Sequence, residues 1–505
     1  MLQSSTDFRL AGELLIELHR DAPMALHRQI ATSIRDAIRT GRLPLGTSLP
    51  PTRAVAADLG VSRGVVVEAY QQLVAEGYLT SKSGGYTRVA IGPEPGPESN
   101  PGPESNPGPG SNAAPAPAPA PGTAPAAVRA AQQAPHPRID FGYGRADLAN
   151  FPRQTWLRSI RTVLNETPND RFGYLGGHGM PELREALAAY LNRVRGTAAR
   201  PGNMVICNGY AQGIALLIQV LVKRGAKRLA VEDPSMDDDA HPLALAAGLD
   251  LAGVPVGPDG IDVDALDHSD ADAVILTPSH QWPTGAVLSA ESRAAVLAWA
   301  KRRHALVIED DYDAEYRYDR APIGAMQGLA PDQVVYAGTA SKTLSPGLRL
   351  GWLVAPAHLA DDIADAKMLA DRGSPAIDQL AFADFLDRGE FDRHLRRMRP
   401  VYRRRRDALL TALRNRLPDL EPAGVAAGLH LVAWLPPDLD ETAVVAAAAR
   451  RGLGVYGVTP YRIAHQGPGG LIFGYATLNE HTIAEGIDLL ASVISEMRSA
   501  PRTHR

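Results

Sequence analysis

Short apolar runs alternate with helix-like segments through the middle of the chain, from about residue 204 to residue 355. The runs are MVICN (204–208), RLAVE (228–232), DAVILT (272–277), ALVIED (305–310), VVYAG (334–338) and GWLVA (351–355). Continuous apolar runs of this length are typical of strands buried on both faces. Between them lie segments with the length and apolar content of helices, such as IALLIQVLVKRG and RAAVLAWAKRRH. This alternation predicts an α/β fold, with a largely parallel sheet covered by helices on both faces.

A different pattern follows after about Glu390. The segment RHLRRMRPVYRRRR is a basic helix, and the runs HLVAWL and LIFGYA are typical of strands. Together they predict a smaller α+β lobe. We interpret the arginines as a solvated helix face, with contact to DNA as the alternative.

Near the N-terminus, apolar residues recur at every fourth position from Leu26 to Ile38, which predicts an amphipathic helix over 26–39. Two further helices are predicted over 53–59 and 63–76, with Ser62 as the N-cap of the second. The segment YLTSKSGGYTRVA then indicates a β-hairpin around two glycines. This order predicts a winged helix-turn-helix domain over residues 10–90, whose third helix enters the major groove.

Residues 91–135 have a composition unlike the rest of the chain. Proline accounts for 13 of these 45 residues, no residue is aromatic or leucine, and GPESNP occurs twice in succession. Such a segment buries too little apolar surface to offset the entropy of folding. We therefore predict a linker that tethers the N-terminal domain loosely to a second domain over residues 136–505.

Charge and composition narrow the classes of function. The chain carries a net charge of −4, but residues 20–90 contain nine Lys/Arg and five Asp/Glu. A basic module on an acidic body indicates that double-stranded DNA binds at one end. The single cysteine, Cys207, excludes an internal disulfide and a cysteine-built metal site, and we expect no metal. Without an apolar run of spanning length or a signal pattern, we expect a cytoplasmic protein with no membrane contact.

Candidate chemistry lies where VVYAG ends. Lys342 follows this strand in a loop with Thr339 and Ser341, and Arg349 lies seven residues further on. A lysine partly withdrawn from water forms an imine with an aldehyde, and hydroxyls beside a guanidinium suit a phosphate. An aldehyde and a phosphate on one molecule indicate pyridoxal 5'-phosphate (PLP) as the cofactor, held by Lys342 as a Schiff base.

Other strand ends offer complementary groups, and ligands of open α/β sheets bind at such ends. Asp310 ends ALVIED and could pair with the pyridine nitrogen of PLP. MVICN leads into a helix at Tyr210 and Ala211, whose amides could hold a phosphate. DAVILT is followed by a polar turn at 278–285, including Gln281, which could hydrogen-bond the ring oxygen.

The N-terminal segment resembles the winged helix-turn-helix of the GntR superfamily. The resemblance rests on LHRQIATSIRDAIRTGRLPLGTSLPPTRAVAADLGVSRGVVVEAYQQLVAEGYL. It implies that Arg53, Ser62 and Arg63 contact DNA, and that Lys82 and Arg88 bind phosphates. Val65 stands where the family often has threonine, which removes one polar contact.

Residues from about 138 to 495 resemble a fold-type I aminotransferase, and the whole chain resembles the MocR/GabR-type regulators. This resemblance implies that Lys342 carries PLP, Asp310 pairs with its ring nitrogen and Tyr312 bonds its ring oxygen. It also implies a phosphate site made by Thr339, Ser341, Arg349 and the amides of Tyr210 and Ala211. The run Tyr174…Gly179…Leu183-Arg184 matches a segment whose tyrosine reaches the neighbouring subunit's phosphate, so a homodimer is expected.

The chain departs from the enzyme pattern at the substrate side. Met236 stands where an aromatic residue usually stacks on the ring, and three aspartates follow at 237–239. LIFGYA has no arginine where related enzymes bind a substrate carboxylate, and Arg462 is a poor substitute. Amino-acid binding is therefore less expected than PLP binding.

Three interpretations remain. The chain is a transcription regulator that senses PLP or a PLP–amine adduct, a working aminotransferase with an incidental N-terminal domain, or a DNA-binding protein with an enzyme-like scaffold. The retained Lys342, Asp310 and Arg349 disfavour the scaffold, and the helix-turn-helix disfavours the simple enzyme. The sequence favours the regulator, with little or no transamination.

Overall fold

The computed structural model describes residues 16, 18–20, 24–81, 87–90, 137–236, 240–318, 323–424 and 426–499. Lys82, the predicted linker at 91–135 and the aspartates at 237–239 lie outside these ranges. In the described part of the chain, no helix combines the length and the apolar character needed to cross a bilayer.

The N-terminal domain is a winged helix-turn-helix, as predicted. Its helices are α1 (Leu26–Arg39), α2 (Thr52–Asp58) and α3 (Arg63–Ala75). Strands β1 (Leu79–Ser81) and β2 (Thr87–Val89) pair antiparallel and form the wing. The apolar positions of α1 and α3 meet in a core of their own. Ser62 precedes α3 as its N-cap residue, although its side chain makes no capping hydrogen bond.

The body is built on an eight-stranded sheet. Its strands are β4 (Met204–Cys207), β5 (Arg228–Asp233), β6 (Asp250–Gly257), β7 (Gly260–Ile261), β8 (Ala273–Leu276), β9 (Leu306–Asp311), β10 (Val334–Thr339) and β11 (Gly351–Val354). Their order is β4-β11-β10-β9-β8-β5-β6-β7. Strands β5, β6, β8, β9 and β10 run parallel, whereas β11 runs antiparallel to both of its neighbours.

Helices cover both faces of this sheet. They are α4 (Arg153–Glu166), α5 (Pro181–Arg195), α6 (Tyr210–Lys223), α7 (Ala240–Ala246), α8 (Val263–Asp267), α9 (Ala290–Arg303), α10 (Ala357–Asp371) and α11 (Ala376–Asp387). Side chains alternate between the faces of a strand. Leu306 and Ile308 of β9 accordingly join the core with α6 and α10, while Val307 joins the core with α9.

The C-terminal lobe packs beside the sheet as a smaller α+β unit. It contains α12 (Glu390–Arg416), β12 (Glu421–Ala423), β13 (His430–Trp434), α13 (Glu441–Arg450), β14 (Leu453–Gly454), β15 (Tyr456–Gly457), β16 (Gly470–Gly474) and α14 (Glu480–Ser499). Strands β12, β13, β16 and β15 form an antiparallel sheet in that order. Strand β14 pairs with β3 (Ile139–Asp140), which ties the start of the body to this lobe.

The predicted fold class is confirmed, with two differences in the sheet. The six predicted strands are present as β4, β5, β8, β9, β10 and β11. Strand β6 escapes prediction because it lies near the sheet edge and its residues are mostly half-buried, so it lacks a long apolar run. The antiparallel direction of β11 follows from the short turn after Lys342, which returns the chain beside β10.

The winged domain is docked on the body, which the loose tether does not predict. Arg39 Nη1 donates a hydrogen bond to the carbonyl of Thr197 at 3.1 Å. The buried Tyr78 hydroxyl donates to the carbonyl of Gly328, also at 3.1 Å. Leu329 of the body packs against the apolar core of the winged domain. The composition of residues 91–135 predicts a tether, but it carries no information on the surfaces that meet in the docked arrangement.

Candidate functional site

Lys342 lies in the turn between β10 and β11, at the carboxyl end of the sheet. The pairing of these strands places the turn next to the C-terminal end of the parallel strand β9. Its side chain is half-buried, and Nζ donates to the carbonyl of Gly144 at 2.8 Å. A lysine held in this way is positioned for imine chemistry at the strand ends.

The predicted phosphate ligands lie together beside this turn. Thr339 and Ser341 place their hydroxyl oxygens 2.9 Å apart. Arg349 Nη2 donates to the carbonyl of Asn208 at 2.6 Å, immediately before α6. Helix α6 begins at Tyr210, so its N-terminal dipole faces the same place. The structure thus brings a guanidinium, two hydroxyls and a helix N-terminus into one cup.

Asp310 lines a pocket beside this cup, together with Tyr210, Met236 and Trp282. The carboxyl group of Asp310 makes no side-chain hydrogen bond with any residue that the structure describes. Burial and the neighbouring Asp311 raise the pKa of Asp310 well above its usual range, although Lys342 opposes the rise. A cationic ring nitrogen opposite this carboxyl would remove that penalty.

Tyr312 follows β9 and lies against the turn that contains His280. Its hydroxyl donates to the carbonyl of His280 at 2.9 Å and lies 3.2 Å from His280 Nδ1. His280 Nδ1 is also 3.0 Å from Asp313. Sequence reasoning does not single out His280, because its partners are separated from it by more than 30 residues.

His280, Asp313 and His430 form a buried cluster whose metal-capable atoms lie within 4.8 Å of one another. His280 Nδ1 is already paired with Asp313, and His430 Nε2 lies 3.1 Å from the carbonyl of Pro283. Burial and the nearby His280 hold the pKa of His430 well below its ordinary value. Since hydrogen bonds use these atoms, the cluster is a hydrogen-bonded polar network under the site.

Two predicted residues are placed elsewhere. Gln281 is buried, but its amide holds the turn, donating to Pro234 and Trp282 carbonyls and accepting from Thr284. The next residue, Trp282, lines the pocket instead. Tyr174 is 97% exposed and does not join the other site residues within this chain.

On the substrate side, strand β16 provides no carboxylate clamp. Strand β16 contains only glycine and apolar residues and therefore no cation. The hydroxyl of Tyr475, which follows this strand, donates to the carbonyls of Ala427 and Gly428. Arg462 Nη2 donates to the carbonyl of Pro468 at 3.1 Å, while its Nε is buried without a hydrogen-bond partner among the described residues.

The predicted DNA-contacting residues are solvent-accessible where they are described. Arg53, Ser62 and Arg63 are exposed on α2 and at the start of α3. Arg88 is exposed on the wing and donates to the carbonyl of Gly46 at 3.4 Å.

Features of the pocket fit PLP. The Trp282 indole Nε1 is buried and has no hydrogen-bond partner among the described residues. The cup is kept open by glycine: a Cβ on Gly209 would lie 2.9 Å from Arg349 Nη2, and one on Gly351 would lie 2.7 Å from the backbone of Gly209. An unpartnered carboxyl, an unpartnered donor and a phosphate cup together suit a charged ring that carries a phosphate.

Residues 139–490 match the family model of class I and II aminotransferases, and residues 26–89 match that of bacterial regulatory proteins of the gntR family. The chain is 34% identical over 489 residues to the probable rhizopine catabolism regulatory protein MocR of Rhizobium meliloti, covering 96% of this chain and 97% of that protein. This chain belongs to the MocR-type transcriptional regulators. It is also 30% identical over 474 residues to the pyridoxine biosynthesis regulator PdxR of Corynebacterium glutamicum, covering 94% and 97% of the two chains.

The body of this MocR-type regulator also has the fold of a solved aminotransferase. LysN, the alpha-aminoadipate aminotransferase of Thermus thermophilus, matches with a TM-score of 0.65 and 26% identity. The match covers 72% of this chain and 93% of LysN, whose structure contains N-(5'-phosphopyridoxyl)-L-leucine. The predicted family and function are confirmed: a DNA-binding domain joined to a sensing domain with the aminotransferase fold.

The pocket of this MocR-type regulator predicts a pH-dependent stability. Burial raises the pKa of Glu232 to about 7 from an ordinary value of 4.5. The folded chain therefore keeps a proton that the unfolded chain has released above pH 4.5. The stabilisation is complete below that pH and is lost as the pH rises through 7.

The wild type should lose unfolding free energy as the pH rises from 5 to 8. We expect Glu232→Gln to lose about 1–3 kcal/mol less over the same interval. Urea titrations followed by tryptophan fluorescence measure this, since all five tryptophans lie in the body. The exposed Glu185→Gln should leave the pH dependence unchanged. Equal pH dependence in wild type and Glu232→Gln would contradict the assignment.

Proposed function

We propose that this regulator binds PLP through Lys342 and uses PLP, or a PLP–amine adduct, to change its binding to operator DNA. The observation that carries the proposal is the convergence of Lys342, the phosphate cup and the unpartnered Asp310 carboxyl at one sheet edge. A body that served only as a dimerisation scaffold would need none of these groups to lie together.

Each group has a defined task in this proposal. Lys342 supplies the amine that holds the aldehyde carbon, and Arg349, Thr339 and Ser341 hold the phosphate. Asp310 keeps a proton on the ring nitrogen, and Tyr312 orients the ring oxygen. When bound, PLP supplies an aldehyde that condenses with amines and a ring that withdraws electrons.

Two further parts of the proposal concern partners. In this proposal the exposed Arg53 and Arg63 read bases of a double-stranded operator, and Arg88 binds phosphate. The full exposure of Tyr174 suits a side chain that reaches the site of a second subunit, which supports a homodimer. Function on operator DNA requires a cytoplasmic location.

The missing carboxylate clamp favours sensing over transamination. Rapid transamination needs the substrate carboxylate held so that its α-proton faces the lysine. Strand β16 supplies no cation there, and Arg462 is tied to the carbonyl of Pro468 through Nη2. The alternative function, an active aminotransferase, is favoured by the retained Lys342 and Asp310 alone.

Operator binding with and without PLP and a panel of amines tests the proposal. We expect PLP or an amine to shift the Kd for operator DNA, while an assay with common amino acids and a keto acid shows little turnover. Arg63→Ala should weaken specific binding by about 1–3 kcal/mol and relax base preference. Brisk turnover without any effect on operator binding would favour the enzyme instead.

A further inference from the structure

A cleft of about 520 Å³ separates the docked winged domain from the body. Its lining shares no residue with the pocket around Asp310. Six arginines line it: Arg28, Arg35, Arg193, Arg195, Arg396 and Arg399. Its size suits a small molecule and is too small for a DNA duplex.

Three of these arginines are already neutralised by carboxylates. Arg35 pairs with Glu76 at 2.6 Å, and Arg193 pairs with Asp392 at 2.8 Å. Arg195 pairs with Asp311 at 2.7 Å, below the floor of the cleft. The positive charge that remains in the cleft therefore comes from the other arginines.

Arg28, Arg396 and Arg399 carry this uncompensated charge. The guanidinium groups of Arg28 and Arg396 make neither an ion pair nor a hydrogen bond with any residue in the described ranges. Arg399 Nε donates to the carbonyl of Glu315 at 2.7 Å, which leaves its charge without a carboxylate. Burial, Arg399 and Arg193 lower the pKa of Arg28, and the carboxylates of Glu68 and Asp392 oppose this only in part.

Tyr190 gives an independent sign of a missing ligand. It lines the cleft with 4% of its surface exposed, and its hydroxyl is buried without a hydrogen-bond partner in the described part of the chain. An unpaired buried hydroxyl is costly, so such groups usually mark a water or ligand site.

We propose that this cleft is a second binding site, which takes a small phosphorylated anion. Guanidinium forks match phosphate oxygens in pairs, and the Tyr190 hydroxyl adds one donor. Arg28 belongs to the winged domain and Arg396 to the body, so one anion bridges the two domains. Binding therefore stabilises the docked arrangement and resists any release of the winged domain.

Isothermal titration with inorganic pyrophosphate tests this site. Arg28→Ala and Arg396→Ala should each raise the Kd at least tenfold. Tyr190→Phe should raise it severalfold without lowering the melting temperature, because the hydroxyl has no partner to lose among the described residues. Arg414→Ala is the matched control: it is exposed on the same helix as Arg396 and should bind as wild type does.

The cofactor cup must be separated from the cleft, because both hold phosphate. Arg349→Ala should keep the cleft binding. Pyrophosphate binding that disappears in Arg349→Ala but persists in Arg28→Ala and Arg396→Ala overturns the proposal, as does no binding by wild type at millimolar concentration. Competition by phosphate, PLP and nucleoside monophosphates then identifies which phosphorylated class fits best.

The bridging of the winged domain and the body by one anion can be measured separately. Small-angle scattering of wild type should show a smaller radius of gyration with pyrophosphate, and Arg28→Ala should show no change. The arginine substitutions could instead weaken DNA binding and reduce its salt dependence, while pyrophosphate has no effect on the wild type. In that case these arginines bind DNA phosphates, and the proposal of a small-anion site is wrong.

Discussion

Protein carrying Lys342→Ala, mixed with PLP, is expected to show no visible absorption band from an imine and no cofactor fixed by borohydride. The reason is that Lys342 is the lysine placed in the turn beside the phosphate cup and the Asp310 carboxyl. The chain has six lysines, so mass spectrometry of borohydride-reduced wild-type protein identifies the modified peptide without ambiguity.

Lys223→Ala is the matched control, since this lysine is exposed at the end of α6 and should leave the band intact. Lys367 is the competitor nearest to the cup. It is fully buried, and its Nζ donates to Asp371 at 2.7 Å and to Gln212 at 2.8 Å, so these two hydrogen bonds hold it away from an aldehyde. Labelling of Lys367 or any other lysine would contradict the assignment of Lys342.

Arg195→Ala is expected to destabilise the body by about 3–5 kcal/mol, because it leaves a buried carboxylate without its counter-charge. Arg195 is completely buried at the end of α5. It donates to Asp311 at 2.7 Å, to Ser279 at 2.9 Å and to the carbonyl of Ile323. Tryptophan fluorescence during urea unfolding reports on the body alone, because the winged domain contains no tryptophan.

Arg193→Ala provides the comparison on the same helix. Its ion pair with Asp392 lies at the surface, where such pairs contribute at most about 1 kcal/mol. A loss of less than about 1 kcal/mol in Arg195→Ala would contradict this expectation and mean that Asp311 finds another partner at little cost.

The sequence predicts the frame of the site well, because the frame depends on local pattern. Apolar runs identify the strands, and the residues that follow them must lie at one edge of a parallel sheet. Lys342, Asp310 and Arg349 are found in this way. Their roles toward the cofactor stay predictions.

What the sequence misses depends on contacts between distant segments. The residues Gln281 and Trp282 are neighbours, and their polarity favours Gln281 as the ligand. The turn has the opposite arrangement, because the Gln281 amide is needed by backbone groups of the turn itself. The buried Arg195 and Arg293 are missed for a related reason: arginine usually marks a surface, and only the fold supplies the acceptors that bury it.

The docking of the winged domain has a genetic consequence. Two hydrogen bonds across the contact run from side chains of the winged domain, Arg39 and Tyr78, to backbone carbonyls of the body. Carbonyls are present whatever side chain a codon specifies, so drift in the body sequence leaves these acceptors in place. Leu329 and three glycines of the body are exceptions, because a Cβ added at Gly196, Gly324 or Gly328 would crowd Arg35, Glu76 or Tyr78 of the winged domain. Other alleles that loosen the contact should map to the winged domain, and a screen for constitutive variants would find them clustered there.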